Sequence, residues 1–129
     1  MCVFCEIIAG NIPSAKVYED DRVLAILDIS QATKGHTLVI PKKHYETILD
    51  MPQDEFSDLM KTVHSLADKI VSRLKASGCN ILINTGEAAG QTVKHAHVHI
   101  IPRYSQDDDI GIQFTEHKLD LNEVLNQIL

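Results

Sequence analysis

Three histidines stand at alternate positions in the segment His-Ala-His-Val-His-Ile-Ile-Pro-Arg, residues 95–103. Side chains along a strand point alternately to its two faces, so His95, His97 and His99 would share one face. The apolar residues between them would face the core, a pattern typical of a half-buried strand. We predict a strand over 95–102, closed by Pro102, because proline has no backbone N–H to donate to a sheet.

Two kinds of chemistry suit such a row of imidazoles. Neutral imidazole is a common zinc ligand, and three protein ligands plus water make a catalytic zinc site. Alternatively, one imidazole can attack an electrophile as a nucleophile. The preceding loop, residues 86–94, is small, polar and rich in glycine, and its backbone N–H groups with the side chains of Gln91 and Thr92 could face an anion. This loop favours phosphoryl chemistry over simple metal hydrolysis.

Composition limits the classes of protein that remain. The chain has 129 residues, 44% of them apolar, which predicts one domain over residues 1–129. The net charge of −6 argues against broad binding to nucleic acid or to an anionic membrane. We find no apolar run that could cross a bilayer and no signal-peptide pattern, so we expect a cytoplasmic location.

The cysteines do not form a disulfide framework, since there are only three of them. Cys2 and Cys5 form a Cys-x-x-Cys pair that could be half of a zinc site, a redox pair or two small buried residues. A redox pair usually follows a strand, and only Met1 precedes Cys2. Zinc needs two further ligands, which the histidines could supply. Cys79 precedes an apolar run and is interpreted as a packed core thiol.

Local patterning predicts an α+β chain with one long helix. Apolar residues recur at helical spacing over 53–77, with acidic residues in the first turn and Gly78 as the expected cap. The remaining expected elements are a helical turn over 4–9, strands over 15–19, 23–27, 36–41 and 81–84, an edge strand over 112–115 and a terminal helix over 122–128.

Three further residues are candidates for a site. Asp28 ends the second expected strand, where an acid is either a turn former or a group that grips ligand hydroxyls. His36 and His44 bracket the third strand, and the nearby row of histidines makes a role in the site plausible for both.

The pattern His95-x-His97-x-His99-x-x-Pro-Arg, preceded by Gly-Gln-Thr-Val, resembles the histidine triad (HIT) family of nucleotide hydrolases and transferases. The N-terminal Cys-Val-Phe-Cys and the segment 35–44 are also similar to that family, and the likeness covers residues 2–104. It implies a HIT-like fold, namely a largely antiparallel five-stranded sheet with one long helix and short terminal helices. It also implies a homodimer.

The resemblance assigns roles to the candidate residues. His97 would attack the α-phosphorus of a nucleotide and form a nucleotidyl-histidine that water then cleaves, with His99 on the phosphoryl oxygens and His36 supporting the triad. The implied nucleotide-binding positions are Asp28 for the ribose hydroxyls, Asn84, Gly90, Gln91, Thr92 and Val93 around the phosphate, and Phe4, Ile7, Ile26 and Ile29 around the base.

In zinc-bearing members of the family, four residues hold a structural metal ion. The matching positions here are Cys2, Cys5, His44 and His95. This closed set leaves no open coordination position, so the expected zinc would be structural rather than catalytic. One triad histidine would then serve the metal, and the other two would serve the phosphate.

The expected ligand is a purine nucleotide or nucleotide conjugate, cleaved at its α-phosphate. The loop over 87–94 is similar to that of dinucleoside polyphosphate hydrolases, and the chain lacks the tryptophan-containing tail of nucleoside phosphoramidases. Both substrate classes stay open. Two different readings also remain: a metal-dependent hydrolase that uses the histidine cluster, and a nucleotide-binding module with little catalysis.

Overall fold

The computed structural model describes residues 2–129. Within this range the chain forms a five-stranded sheet and three α-helices, which confirms the expected α+β fold. The helices are α1 (Val3–Ile8), α2 (Gln53–Leu74) and α3 (Leu121–Ile128). The strands are β1 (Lys16–Glu19), β2 (Val23–Leu27), β3 (Thr37–Pro41), β4 (Gly78–Leu82) and β5 (Val98–Arg103), and single 3₁₀ turns lie at Ile48–Asp50 and Glu87–Ala89.

The sheet is antiparallel throughout, in the order β1-β2-β3-β5-β4. Strand β5 therefore lies inside the sheet, where β3 pairs with it on one side and β4 on the other. His99 is opposite Leu38 of β3 and Leu82 of β4. Hydrogen bonding on both sides fixes the position of this histidine.

The two faces of the sheet are covered unequally. The long helix α2 packs on one face, against a core that includes Val39, Val98 and Ile100. The other face carries a smaller cluster, in which Phe4 of the short helix α1 packs on Leu38. Since α1 has only six residues, it covers part of this face and leaves room for a cavity beside it.

Helix α2 ends three residues earlier than its pattern predicts. Lys75 adopts a left-handed conformation at φ 57°, and its N–H donates to the carbonyl of Ser72. The expected cap at Gly78 is wrong, because Gly78 already begins β4 and pairs with Arg103. This pairing shifts β4 to an earlier start than the predicted 81–84.

Two other boundaries differ from expectation. Strand β5 begins at Val98 rather than at residue 95, because the N–H of Ala96 donates to the carbonyl of Tyr45 at 2.7 Å instead of joining the sheet. His95 thus lies in a bend over 93–95, where its N–H donates to the carbonyl of Val93, and His97 lies between this bend and the strand. The edge strand predicted over 112–115 is wrong, since that segment has no regular structure.

In the part of the chain that the structure describes, no helix combines the length and apolar character needed to cross a membrane.

Candidate active site

Two catalytic candidates and most of the nucleotide-binding candidates meet at one cavity of about 440 Å³ beside α1. The candidates that line it are Phe4, Ile7, Ile26, Asp28, Ile29, Thr92, Val93, His97 and His99. Its walls are largely apolar at the α1 side, while His97 and His99 supply imidazoles and Asp28 a carboxylate. The cavity therefore joins an apolar compartment to a polar one.

A backbone carbonyl sets the tautomer of His97. Its Nδ1 lies 2.7 Å from the carbonyl oxygen of His95. A carbonyl can only accept, so Nδ1 carries the hydrogen and donates it. The Nε2 of His97 is therefore an unprotonated nitrogen with a free lone pair, as a nucleophile requires. The ring of Phe4 packs edge-on against His97 at 5.0 Å between centroids and restricts its rotation.

A second chain of hydrogen bonds sets the tautomer of His99. The N–H of Ala32 donates to Nδ1 of His36 at 3.1 Å, so neutral His36 carries its hydrogen on Nε2. This Nε2 lies 2.9 Å from Nδ1 of His99, which must then accept. The hydrogen of His99 is consequently on its Nε2. His97 and His99 thus offer a lone pair and an N–H donor side by side, with ring centroids 5.0 Å apart.

Burial keeps these imidazoles neutral. Desolvation lowers the pKa of His97 and of His36, although Asp28 acts in the opposite direction on both. Desolvation, helped by neighbouring His97 and His36, lowers the pKa of His99 to about 4. At neutral pH the site therefore holds uncharged rings, which is the state that the tautomer assignments describe.

The turn before β3 brings Asp28 and His36 together. Asp28 Oδ2 lies 3.6 Å from Nε2 of His36, and its Oδ1 accepts the N–H of Ser30. Gly35 has φ +95°, and an added Cβ would clash with the side chain of Leu74, so glycine is required next to His36.

Gln31 is a site residue that the sequence interpretation missed. Its side-chain amide donates to the carbonyls of Asp28 and His36 at 2.5 and 2.8 Å, and its Oε1 accepts the N–H groups of Gly35 and His36 at 2.8 and 3.1 Å. These four bonds tie the two ends of the turn. In the sequence Gln31 is an unremarkable polar loop residue, and nothing local indicates that its amide is fully used.

Three predicted phosphate-binding residues lie outside the cavity wall. The Gln91 amide is fully occupied: Oε1 accepts the N–H of Gly86 at 2.8 Å, and Nε2 donates to the carbonyls of Val93 in the same loop and of Glu46 in the segment after β3. Gly90 has φ +94° and ends the 3₁₀ turn before Gln91. Asn84 follows β4 and also does not line the cavity. In this structure Gln91 shapes the loop that carries Thr92 and Val93.

The four predicted metal ligands form a separate cluster. The Sγ atoms of Cys2 and Cys5 and the Nδ1 atoms of His44 and His95 all lie within 4.8 Å of one another. The contacts of His95 Nδ1 with Cys2 Sγ, Cys5 Sγ and His44 Nδ1 are 3.4, 3.6 and 3.0 Å. Tetrahedral zinc with ordinary N and S bonds separates its ligand atoms by about 3.3–3.8 Å. The contacts of His95 Nδ1 with the two sulfur atoms lie in this range, its contact with His44 is slightly shorter, and the Cys₂His₂ donor set suits this ion.

The second nitrogen of His95 supports the same assignment. Its Nε2 lies 2.8 Å from the carbonyl oxygen of Pro41 and must donate to it. Nδ1 is therefore unprotonated and faces the two sulfur atoms. Metal-binding histidines commonly donate their other N–H to a carbonyl in this way, which fixes the ring and its tautomer.

The chain is therefore an antiparallel α+β protein in which His99 of the inner strand β5, and His97 just before that strand, present neutral imidazoles to a mixed apolar and polar cavity. A family model described as HIT domain matches residues 9–106. An uncharacterized HIT-like protein from Methanocaldococcus jannaschii is 50% identical over 129 residues, covering 99% of this chain and 98% of its own. The chain belongs to the HIT family.

Another relative carries an activity in its name. Adenylylsulfatase HINT3 from Arabidopsis thaliana is 43% identical over 129 residues, which cover 99% of this chain and 66% of the plant protein.

Solved structures share the fold. A Streptococcus mutans protein superposes with a TM-score of 0.91 at 50% identity, covering 98% of this chain and 80% of that one. A zinc-bound histidine triad family protein from Mycobacterium smegmatis has a TM-score of 0.80 at 40% identity, and the match covers 90% of this chain and 84% of that one. A histidine triad nucleotide-binding protein from Candida albicans has a TM-score of 0.85 at 32% identity, and the match covers 99% of this chain and 92% of that one.

Proposed function

We propose that this protein is a nucleotide hydrolase or transferase that cleaves nucleotide conjugates at the α-phosphorus through a nucleotidyl-histidine at His97. The observation that carries the proposal is the pair of tautomers at the cavity. The lone pair of His97 Nε2 is a nucleophile, and the Nε2–H of His99 is a donor for a phosphoryl oxygen. A site that only binds a nucleotide needs no such nucleophile.

In the first step, the bond between His97 Nε2 and the α-phosphorus forms while the bond from phosphorus to the leaving group breaks. The leaving group departs with that electron pair. In the second step, a water oxygen attacks the same phosphorus and releases a proton to solvent, and the N–P bond breaks with its electron pair returning to Nε2 of the neutral imidazole. Covalent catalysis of this kind divides one difficult displacement into two easier ones.

Stabilisation of the transferred group falls to the cavity wall. In this proposal the phosphate lies against His99, Thr92 and Val93, which line the cavity, and the N–H of His99 would stabilise the charge that develops on the phosphoryl oxygens. Asp28 is placed to accept the ribose hydroxyls, and the apolar residues of α1 and β2 form the wall for a purine base. The positioning of the reacting group supplies the remaining rate enhancement.

The names of two relatives support the reaction class. Adenylylsulfatase HINT3 is named for an adenylyl compound, and the Candida albicans neighbour is called nucleotide-binding. For this chain we propose dinucleoside polyphosphates or nucleoside phosphoramidates as substrates. Turnover of both substrates at equal concentration separates these two classes.

The test is the intact mass of the protein after mixing with an adenosine-phosphate conjugate. We expect a transient adenylyl adduct on the wild type and none on His97→Ala. His64→Ala is the matched control, because His64 is an exposed histidine of α2 that does not line the cavity. Turnover by His97→Ala at the wild-type rate, without an adduct on either protein, would contradict the assignment.

A metal-dependent hydrolase is the competing function, and the tautomers disfavour it. Asp28, His36 and His99 also come close enough to hold an ion. However, Nδ1 of His36 accepts a backbone N–H, which leaves the hydrogen on the nitrogen that an ion would need. Turnover that survives chelation of metal supports the covalent mechanism, and turnover that requires an added metal ion would support the alternative.

For the cluster of Cys2, Cys5, His44 and His95 we propose a structural zinc ion. The ligand distances and the zinc-bound relative from Mycobacterium smegmatis support it. Bound zinc would supply a cross-link between the N-terminus and the segment that enters β5. His95 would then hold the metal by its side chain and orient His97 by its carbonyl.

We also propose that the chain pairs with a second copy of itself. Several large apolar side chains of the described chain are exposed beyond residue 110, among them Phe114, at 86% exposure, and Leu121, at 77%. Exposed apolar side chains in such number commonly mark an interface. Light scattering after gel filtration measures the mass in solution, and a monomer at micromolar concentration would refute this proposal.

A further inference from the structure

Ser14 carries an unusual oxygen. Among residues 2–129, its hydroxyl is the single buried side-chain N or O atom without a hydrogen-bond partner. Native proteins seldom leave such groups unpaired, because a buried hydroxyl has lost its hydration and gained nothing in return. An orphaned hydroxyl of this kind calls for a partner that the chain itself does not supply.

The position of Ser14 indicates where that partner comes from. Ser14 lies between α1 and β1, in the wall of the same cavity as His97. The next residue, Ala15, accepts the N–H of Leu27 at 3.0 Å, which holds this segment against the end of β2. The neighbours of Ser14 in the wall are Ile12 and Pro13, which are apolar side chains.

The other parts of a nucleotide already have partners in the proposed site. The phosphate has His97, His99 and the loop that carries Thr92, and the ribose hydroxyls have Asp28. The base enters an apolar compartment, where the ring nitrogens and exocyclic groups along its edge lose water. A hydroxyl both donates and accepts, so one hydroxyl can satisfy either kind of polar atom.

We propose that the Ser14 hydroxyl forms a hydrogen bond with the polar edge of the bound nucleobase and so determines base affinity. This inference rests on the proposed function, since it places the nucleoside in the same cavity. The Ser14 oxygen is buried in the free protein, so the proposal requires a change of the χ1 rotamer that turns it toward the ligand. The free protein would then hold an unsatisfied hydroxyl that binding satisfies.

The experiment compares Ser14→Ala with the wild type, using AMP and ribose 5-phosphate as probes in calorimetric titrations. We expect the variant to bind AMP about three- to tenfold more weakly, as loss of one hydrogen bond implies. Its affinity for ribose 5-phosphate, which has no base, should stay unchanged. Ser72→Ala, an exposed serine of α2, is the control and should match the wild type with both probes.

A second readout separates binding from a structural role. Removal of an unpaired buried hydroxyl does not destabilise a protein, so the melting temperature of ligand-free Ser14→Ala should equal or exceed that of the wild type. A lower melting temperature would show that the hydroxyl has a protein partner and would overturn the inference.

The remaining outcomes distinguish the two proposals. If the wild type binds AMP and forms the adduct at His97 while Ser14→Ala binds AMP equally well, this inference fails alone. Equal weakening of AMP and ribose 5-phosphate would also overturn it, because the contact would then not involve the base. If the folded wild type binds no AMP, both this inference and the proposed function fail.

Discussion

His95 and His97 are two residues apart in the segment that leads into β5, yet they present opposite ring nitrogens. His95 donates from Nε2 to Pro41 and exposes Nδ1 to the two cysteines. His97 donates from Nδ1 to the carbonyl of His95 and exposes Nε2. The two residues are of the same type, and they differ in the backbone carbonyl that accepts their ring N–H. That acceptor decides which nitrogen is unprotonated, namely Nδ1 of His95 beside the cysteines and Nε2 of His97.

The two clusters differ in what surrounds them as well. Around His95 Nδ1, the Sγ atoms of Cys2 and Cys5 and the Nδ1 atom of His44 converge. Around His97 the neighbours are an N–H donor from His99, the ring of Phe4 and an open cavity. The first arrangement favours a bound cation, and the second favours a reaction at an anionic group. The following predictions test this contrast, from the largest expected effect to the smallest.

Replacement of the nucleophile should have the largest effect. We expect His97→Gln to lose about 10⁴-fold or more in kcat, as removal of a covalent nucleophile does in other enzymes. The affinity for AMP should change far less, since the cavity wall stays intact. Steady-state kinetics and titration measure the two quantities, and a loss in affinity without a loss in kcat would contradict the role of His97.

Loss of one metal ligand should abolish zinc binding. We expect wild type purified with zinc to hold about one ion per chain and Cys5→Ser to hold about a tenth of that or less, because thiolate ligation is lost. A chelator should lower the melting temperature of the wild type and leave that of Cys5→Ser unaffected. Cys79→Ser is the matched control, since Cys79 lies outside the cluster. Equal zinc content in all three proteins would refute the site.

Loss of the hydrogen bond from His36 to His99 should lower kcat by an intermediate amount. His36→Leu removes the donor that faces Nδ1 of His99, so we expect a loss of about 10- to 100-fold in kcat with little change in KM. His36→Gln keeps an N–H donor near that position and should recover part of the loss. If leucine and glutamine at this position prove equally active, His36 does not act through the tautomer of His99.

The pH dependence of stability should show the smallest effect. The pKa values of His36 and His99 are lowered in the folded protein, that of His99 to about 4. An unfolded histidine titrates near about 6.5, so the unfolded chain binds more protons below that pH. The groups that face His99 are His97, His36 and Asp28.

The contribution of these histidines to the free energy of unfolding is therefore fully present above about pH 6.5, and it falls as the pH drops toward about 4. Melting temperatures of the wild type and His99→Gln over this range measure the contribution of His99. The variant should lose less stability on acidification. An identical slope for the two proteins would show that His99 does not titrate as described.

Local patterns in the sequence predicted the positions of α2 and β5. The 3.6-residue spacing of apolar residues located α2, and the alternation around His99 located β5 to within a few residues. The resemblance to the HIT family, carried by these motifs, implied the four residues Cys2, Cys5, His44 and His95, which lie together in the structure. These features are local, or they belong to motifs whose residues can be recognised without coordinates.

Other predictions failed because they depended on distant partners. The segment 112–115 has strand-like composition but pairs with no other strand in the described chain. The end of α2 was set by the pairing of Gly78 with Arg103, twenty-five residues away in sequence. A short stretch of sequence does not show whether a strand has a partner elsewhere in the chain.

By itself, the sequence determined which residue types are available for chemistry and which of them share a strand, a helix or a motif. The tertiary structure decided which nitrogen each histidine exposes and that Gln31 joins Asp28 to His36. It also paired the Gln91 amide with backbone groups of Gly86, Glu46 and Val93, and left the hydroxyl of Ser14 buried without a partner in the wall of the cavity. The physical reason is that a hydrogen bond depends on the position of both atoms. Sequence specifies the donor or the acceptor, and only the folded chain brings the other one within reach.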